Sequence, residues 1–159
     1  ELAKIGQMTA RTVRMFGMEP VIAMISYANF GSSSNENARK VKEAVAYLHR
    51  VQPDLLVDGE MQTDFALNKA LLQKKFPFSK LAGKKVNTLI FPNLDSGNST
   101  YKLIKELNKT ESVGPILMGM NKPVHILQLG ASVEEMVNMT AVAVVDDHEK
   151  ERMIRVEND

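Results

Sequence analysis

Val21-Ile-Ala-Met-Ile25 is a run of five apolar residues in which polar and apolar positions do not alternate. Such a run is typical of a short strand that is buried on both faces, as in a parallel sheet covered by helices. Upstream of it, apolar residues recur at helical spacing from Leu2 to Phe16, and Gly17 and Pro20 end that pattern. The chain is therefore predicted to begin with a helix and a central strand.

The same succession of helix and strand continues downstream. Further strands are predicted at 55–57, 87–91, 113–118 and 124–127, and further helices at 35–50, 63–75, 95–107 and 132–147. Strands that alternate with helices in this way predict an α/β fold with three layers (α/β/α) around a mostly parallel sheet. The charged residues that follow the last helix are expected to form a frayed tail.

The composition excludes several classes of protein. The chain has 159 residues, 44% of them hydrophobic and 25% charged, as is usual for a globular domain. A net charge of +1 argues against a nucleic-acid partner, and no apolar run approaches the roughly 20 residues that a membrane helix needs. The absence of cysteine excludes disulfides and thiolate metal sites and fits a cytoplasmic location. Because Glu1 lies inside a helical pattern with no initiator methionine, we expect a domain of a longer protein.

Two predicted strand ends carry polar residues that suit ligand chemistry. Asp95-Ser-Gly-Asn-Ser-Thr100 lies between a strand and a helix, where free backbone N–H groups could hold a phosphate or carboxylate. Asp58-Gly-Glu60 with Asp64 places three carboxylates at the end of another strand, as acid/base chemistry or a hard cation would require. The structural alternatives are an ordinary helix N-cap for the first stretch, and a turn followed by an acidic helix start for the second.

The last segment contains one clear local motif. Ser132-Val-Glu-Glu135 has the S-x-x-E pattern of a capping box before an apolar helix, so Glu135 has a structural role without any catalytic one. The three histidines, His49, His125 and His148, show no metal-ligand spacing, and no metal site is predicted. Only His125, in the strand–turn region of this segment, is a candidate for a functional role.

Longer motifs point to a family. The chain contains Gly31-Ser32, Asp58-Gly-Glu-Met-Gln62 with Asp64, Phe91-Pro-Asn-Leu-Asp-Ser-Gly-Asn98 with Tyr101-Lys102, and Gly114-Pro-Ile-Leu117 with Gly119 and Lys122-Pro-Val124. Together these stretches resemble the phosphate acetyl/butyryltransferase (phosphotransacetylase) family over nearly the whole chain. Each stretch is weak evidence alone, but the combination is highly specific.

A closer similarity is to the phosphotransacetylase-like C-terminal domain of large bacterial malic enzymes. It lies in Met8-Thr-Ala-Arg-Thr-Val-Arg14 with Gly17-Met-Glu-Pro20, Leu117-Met-Gly119 with Lys122-Pro-Val-His125, and Val137-Asn-Met-Thr-Ala-Val-Ala-Val144. The resemblance implies an isopropylmalate-dehydrogenase-like fold. In that fold residues 1–118 would be the second lobe, 119–148 would return to the first lobe, and 149–159 would be the charged tail.

The chain departs from the family pattern where the resemblance implies the reactive groups. Aligned through Lys122-Pro-Val124 and Gly130, the family serine falls at Gln128, the arginine at Leu129 and the aspartate base at Glu135. A leucine cannot stabilise the charge that develops on an acyl phosphate, and each such donor is worth roughly 100- to 1000-fold in rate. We therefore expect a remnant site at these three positions and no catalytic residue.

By the same resemblance, acetyl-CoA is expected to be a regulatory ligand, with no other cofactor in this part of the protein. The residues expected to contact it are Asn98, Lys102, His125, Gln128, Gly130 and Glu135. Lys102 matches a lysine of the family, although the family arginine one turn later is replaced by Glu106.

The resemblance favours a regulatory and oligomerisation domain of an NAD(P)-dependent malic enzyme, which senses acetyl-CoA and is not itself catalytic. Malate decarboxylation to pyruvate, with NADP and a divalent metal, would belong to N-terminal domains outside this chain. A homodimer is expected because Phe76, Phe78 and Leu81 lie in a loop that a monomer would leave uncovered. The alternatives are an active phosphate acetyltransferase (acetyl-CoA and phosphate to acetyl phosphate and CoA) with Glu135 as base, and a dimerisation module without ligand.

Overall fold

Helices and parallel strands alternate along the chain, and the described residues form three strands rather than the five predicted. The computed structural model describes residues 1–109 and 112–157. The strands form one sheet in the order β2-β1-β3, and both pairings are parallel. In chain order the elements are α1 (Leu2–Met15), β1 (Val21–Ile25), α2 (Glu36–Val51), β2 (Leu56–Met61), α3 (Thr63–Leu67), α4 (Lys69–Lys75), β3 (Thr88–Ile90), α5 (Leu94–Asn108) and α6 (Val133–Glu157).

Strand β1 is the centre of the sheet and is buried on both faces, which confirms the prediction from its unbroken apolar run. Ile22 and Met24 belong to a cluster built with α1 and α2. Ala23 and Ile25 belong to a second cluster, which α3, α4 and the loop before β3 complete. Because successive residues of a strand point to opposite faces, helices cover both sides of the sheet. The predicted three-layer α/β/α architecture follows.

Strand β2 is longer than predicted because β1 pairs with residues of low strand propensity. Asp58 and Gly59 pair with Ala23 and Met24 inside the sheet. This pairing requires glycine, since a Cβ at position 59 would lie 2.5 Å from the carbonyl oxygen of Met24, at a φ of +143°. The prediction that this strand ends before residues 58–60 is therefore wrong.

The side chain of Asp58 ties β2 to the loop between α4 and β3. Its Oδ2 accepts hydrogen bonds from Ser79 Oγ and from the Lys80 backbone N–H, both at 2.8 Å. Its Oδ1 accepts from the Gly59 N–H at 3.0 Å. Asp58 and Ser79 are both buried, and a buried carboxylate needs such donors. Asp58 therefore has a complete structural role.

Two helices begin at residues other than those predicted, because an asparagine side chain caps the N-terminus of each. The helix predicted at 63–75 is interrupted at Asn68, whose side chain accepts from the Leu71 N–H at 3.0 Å and begins α4. Asn93 caps α5 in the same way, accepting from the Ser96 N–H at 2.9 Å. The stretch 95–100 therefore lies inside α5, and the turn expected there does not form.

Residues 112–132 form no strand, although strands were expected at 113–118 and 124–127. A strand needs a neighbour to complete its ladder of hydrogen bonds. Neither segment pairs with β1, β2 or β3. In addition, Gly114 and Gly119 have φ angles of +141° and +85°, which interrupt extended backbone. These residues connect the described parts of α5 and α6 as irregular chain.

Helix α6 continues through most of the segment that was expected to be a frayed tail. The frayed tail was expected at 148–159; this is wrong for 148–157, and residues 158 and 159 lie outside the described residues. Charge pairs four residues apart support the helix. Lys150 Nζ lies 2.8 Å from Asp146 Oδ2, and an Arg155 guanidinium nitrogen lies 3.6 Å from a Glu151 carboxylate oxygen. Across the described ranges, neither α6 nor any other helix combines the length and the apolar character needed to span a bilayer.

Replacing Asp58 by alanine should lower the free energy of unfolding by about 2 to 3 kcal/mol, because the buried Ser79 hydroxyl and the Lys80 backbone N–H lose their acceptor. Asp54→Ala is the control. Asp54 is exposed, so its loss should change the free energy by less than about 0.5 kcal/mol. Urea denaturation followed by circular dichroism measures both variants. An equally small effect of the two substitutions would contradict the structural role of Asp58.

Candidate functional site

Helix α5, the irregular segment after it and the start of α6 line a cavity of about 140 Å³. Tyr101 and Lys105 come from successive turns of α5, and Glu135 comes from the first turn of α6. The other lining residues are Ser112, Val113, Gly114, residues 126–131, Asn138 and Met139. The cavity is therefore lined by residues of two helices that are distant in sequence.

The turn before α6 brings three of the predicted site residues to this cavity. Gln128, Leu129 and Gly130 all line it. The turn is closed by a hydrogen bond from the Ala131 N–H to the Gln128 carbonyl oxygen, at 3.1 Å. Gly130 has a φ of +86°, which favours glycine. Leu129 is fully exposed, so the turn presents an apolar side chain and an amide, and no charge.

Glu135 is held at the cavity by the predicted capping box, which the structure confirms. The Ser132 backbone N–H donates to Glu135 Oε2 at 2.8 Å, and the Glu135 N–H donates to Ser132 Oγ at 3.1 Å. The Ser132 N–H lowers the pKa of the Glu135 carboxyl, and the Ser132 hydroxyl and Lys105 lower this pKa further. A carboxylate with a lowered pKa is a weaker general base.

Lys105 is missed by the sequence analysis, yet it is the one cationic side chain lining the cavity in the described part of the chain. Its Nζ lies 4.0 Å from Glu135 Oε1, and its side chain is 41% exposed. Beside it, the hydroxyls of Tyr101 and Ser112 form a hydrogen bond of 2.9 Å. The available signal was spacing, because Lys105 follows Tyr101 by four residues and therefore shares its helix face.

Asn98 and Lys102, which are predicted to contact acetyl-CoA, lie outside the cavity. Both are exposed on α5. The Lys102 Nζ lies 5.4 Å from the centre of the Tyr101 ring, within the range of a cation–π contact. The structure therefore places both residues on the helix that contributes Lys105, but not beside Glu135.

Two of the histidines have structural positions. The His125 side chain is 4% exposed, with Nε2 at 3.3 Å from Asp146 Oδ2 of α6. Neither ring nitrogen makes a hydrogen bond of good geometry, so the pair is a close contact rather than a formed hydrogen bond. The same Asp146 oxygen accepts from Lys150 Nζ at 2.8 Å. His125 does not line the cavity. His49 Nε2 lies 2.7 Å from the Val57 carbonyl oxygen and links α2 to β2.

The three carboxylates at the end of β2 serve separate purposes. Asp58 accepts from Ser79, as described above. Glu60 is 1% exposed, and its Oε1 accepts from the Gly31 N–H. Asp64 is exposed in the first turn of α3. Within residues 1–109 and 112–157, no group of three acidic or histidine side chains is arranged to hold a metal ion.

Ser132→Ala should raise the pKa of Glu135 toward the ordinary value of a glutamate, because the reciprocal bonds that favour its carboxylate are weakened. NMR titration of the Glu135 carboxyl carbon measures this change. Since the pKa is lowered in the folded state, the stabilisation from Glu135 is present above the ordinary glutamate pKa. It is lost as the pH falls through the lowered value. Ser132→Thr keeps the cap and is the control, and identical titration curves for the two variants would contradict the capping assignment.

Comparison with known proteins shows which family this chain resembles. The family model described as Phosphate acetyl/butaryl transferase matches residues 1–144. The chain is 43% identical over 145 residues to the NADP-dependent malic enzyme of Haemophilus influenzae, a match that covers 91% of this chain and 19% of that protein. It is 42% identical over 146 residues to the phosphate acetyltransferase of Clostridium acetobutylicum, covering 91% of this chain and 44% of that protein.

Solved structures share the fold. The EutD phosphotransacetylase from Staphylococcus aureus superposes with a TM-score of 0.84 at 36% identity, over 91% of this chain and 44% of that one. A phosphotransacetylase from Streptococcus pyogenes gives a TM-score of 0.84 at 38% identity, over 96% of this chain and 45% of that one. The chain thus spans less than half the length of these transferases and about a fifth of the malic enzyme. By family model, identity and fold, it belongs to the phosphate acetyl/butyryltransferase family.

Proposed function

We propose that this chain is the acetyl-CoA-sensing and self-association domain of an NAD(P)-dependent malic enzyme, and that it binds acetyl-CoA without transferring the acetyl group. The observation that carries the proposal is the capping box, because it uses the only carboxylate among the described residues that line the cavity. The 43% identity to a malic enzyme over 91% of this chain supports a malic enzyme as the protein to which this domain belongs.

The position of Glu135 argues against its use as a base on the CoA thiol. One carboxylate oxygen accepts from the Ser132 N–H, and the other faces Lys105 Nζ at 4.0 Å. Both contacts favour the deprotonated form, so the carboxylate gains little by taking a proton. A general base works best when its pKa is close to the working pH, and the pKa of Glu135 is shifted the opposite way.

The charges in the cavity also argue against transfer of an acyl group to phosphate. The turn offers Gln128 and Leu129, neither of which is charged. Lys105 lies 4.0 Å from Glu135, and that carboxylate offsets part of its charge. Transfer to phosphate requires an uncompensated cation beside the reacting oxygens, which carry negative charge. An uncharged thioester needs none, so it suits this cavity better than an acyl phosphate.

The size of the cavity limits what part of acetyl-CoA it can hold. A volume of about 140 Å³ accepts the acyl end of the molecule and leaves the nucleotide outside. Lys102 and Asn98 lie nearer the N-terminal end of α5 and are exposed, so they are available to the nucleotide phosphates. His125, held against Asp146, positions the chain that leads into the Gln128 turn and need not touch the ligand.

Chemistry on malate is assigned to parts of the protein outside this chain. Oxidative decarboxylation to pyruvate, with NADP and a divalent metal, would take place there and would respond to acetyl-CoA bound here. A cytoplasmic location is part of the proposal, since a chain without cysteine has no disulfide that would need an oxidising compartment.

The second candidate is an active phosphate acetyltransferase that makes acetyl phosphate. Two observations favour it: the identity to phosphate acetyltransferases over 91% of this chain, and the presence of Lys105 in the cavity. In this case Lys105 would supply the charge that Leu129 lacks, and Glu135 would leave the capping box to act as base.

In the intact protein that contains this chain, acetyl-CoA should bind without being consumed, because neither a free base nor an uncompensated cation faces it. Isothermal titration calorimetry measures binding, and thiol release from acetyl-CoA with phosphate measures turnover. Turnover that Glu135→Gln abolishes would establish the second candidate instead. Absence of any binding heat would favour a dimerisation module without ligand.

A restored site provides the matched comparison. Gln128→Ser, Leu129→Arg and Glu135→Asp together supply a hydroxyl, a cation and a shorter carboxylate at the positions where the family has them. Detectable acetyl transfer by this triple variant, with none by the unmodified protein, would support a remnant site. Equal activity of the two proteins would contradict it.

Self-association through this lobe is also part of the proposal, with a smaller patch than the sequence predicted. Phe78 is 70% exposed, and its ring packs edge-on against Phe30 and Phe76, at 5.1 and 5.9 Å between centroids. Leu81, expected in the same patch, is fully buried in the core, so that part of the prediction is wrong. An exposed aromatic ring on a rigid aromatic base suits a contact between two copies.

Phe78→Ser should therefore shift the protein toward monomer, because it removes the exposed ring and leaves Leu81 in the core. Sedimentation equilibrium at micromolar concentrations measures the change. Tyr47→Ser is the control, since Tyr47 is an exposed aromatic on α2. Unmodified protein that is monomeric at these concentrations, or an equal effect of both substitutions, would contradict the proposal.

A further inference from the structure

We propose that Lys105 makes the site selective for acetyl-CoA over free CoA by donating a hydrogen bond to the thioester carbonyl oxygen. This inference rests on the proposed function, since it concerns the same cavity and the same ligand. It gives Lys105 a role in specificity, although Lys105 is not one of the three remnant positions Gln128, Leu129 and Glu135.

A sensor of acetyl-CoA must distinguish it from CoA, and the two molecules differ only at the acyl end. The acetyl group adds a carbonyl oxygen, which accepts hydrogen bonds, and a methyl group, which makes apolar contacts. Apolar contact with one methyl group gives little discrimination. A donor aimed at the carbonyl gives more, because free CoA leaves that donor without an acceptor.

Lys105 is the strongest hydrogen-bond donor that this cavity offers to the carbonyl oxygen. It is the single cation among the described residues that line the cavity. The other side-chain donors that line the cavity are uncharged: the Tyr101 and Ser112 hydroxyls, which share one hydrogen bond of 2.9 Å, and the amides of Gln128 and Asn138. A charged donor forms the stronger hydrogen bond. An ammonium group has three N–H donors, so it can face Glu135 with one and still present others to the cavity.

Glu135 makes the donor suitable for a neutral ligand. Its Oε1 lies 4.0 Å from Lys105 Nζ, so it offsets part of the charge of the ammonium group. The pair attracts a second negative group less strongly than a lone ammonium would. A carbonyl oxygen needs only a donor and not a net charge. The pair therefore favours a thioester over both an acyl phosphate and a free thiolate.

The test compares three ligands on the intact protein: acetyl-CoA, CoA and S-ethyl-CoA. S-ethyl-CoA has nearly the same shape as acetyl-CoA but lacks the carbonyl oxygen, so it separates the hydrogen bond from the bulk of the acyl group. We expect the unmodified protein to bind acetyl-CoA about tenfold or more tightly than S-ethyl-CoA, because one charged donor is involved. In Lys105→Met, which keeps the length of the side chain, the two affinities should become nearly equal.

Two further variants give the comparison its controls. Lys105→Arg retains a charged donor and should keep most of the preference for acetyl-CoA. Lys102→Met, one turn earlier on α5, should change the affinities for all three ligands together and leave their ratios unaltered.

The outcomes separate this inference from the proposed function. If the unmodified protein binds none of the three ligands, both fail. If it binds acetyl-CoA but Lys105→Met leaves the ratio of acetyl-CoA to S-ethyl-CoA unchanged, only the role of Lys105 is overturned. An equal loss of affinity for all three ligands in Lys105→Met would also overturn it, because a structural or purely electrostatic role predicts that result.

Discussion

The burial of β1 on both faces is the constraint on which the rest of the structure depends. A strand whose side chains are apolar on each side must be covered by helices above and below, and its backbone groups must be paired along both edges. Strands β2 and β3 provide those edges, and both run parallel to it. Parallel pairing then places the strand ends together at one edge of the sheet and makes each connection cross over through a helix.

That constraint explains why Asp58, which lies inside β2, has a structural role. Asp58 lies in the sheet because β1 pairs with it, and its buried carboxylate must then find donors. It finds them at Ser79 and Lys80, which fixes the loop before β3. Glu60, which has no partner on β1, is also buried, and its Oε1 accepts from the Gly31 N–H. Both carboxylate oxygens of Asp58 accept hydrogen bonds, so Asp58 is not available for acid/base chemistry or for a cation.

At the cavity the interaction that fixes the position of Glu135 is the capping box, which involves neighbouring residues. The Ser132 N–H and the Glu135 carboxylate satisfy one another at the start of α6, as helix ends require. A carboxylate that stabilises a helix end through its charged form is poorly suited to accept a proton during catalysis. The capping box therefore argues against Glu135 as a general base.

The sequence by itself determined the features that depend on short spacing. The apolar run of β1 predicted its double burial, and the S-x-x-E pattern predicted the capping box, because both are decided by neighbouring residues. Tertiary structure alone decided the features that depend on partners distant in sequence. The strands expected at 113–118 and 124–127 are absent because they have no neighbour to pair with, and β2 extends through Asp58 because β1 lies beside it. Lys105 reaches the site only because α5 and α6 both line the cavity, which brings its ammonium group to 4.0 Å from Glu135.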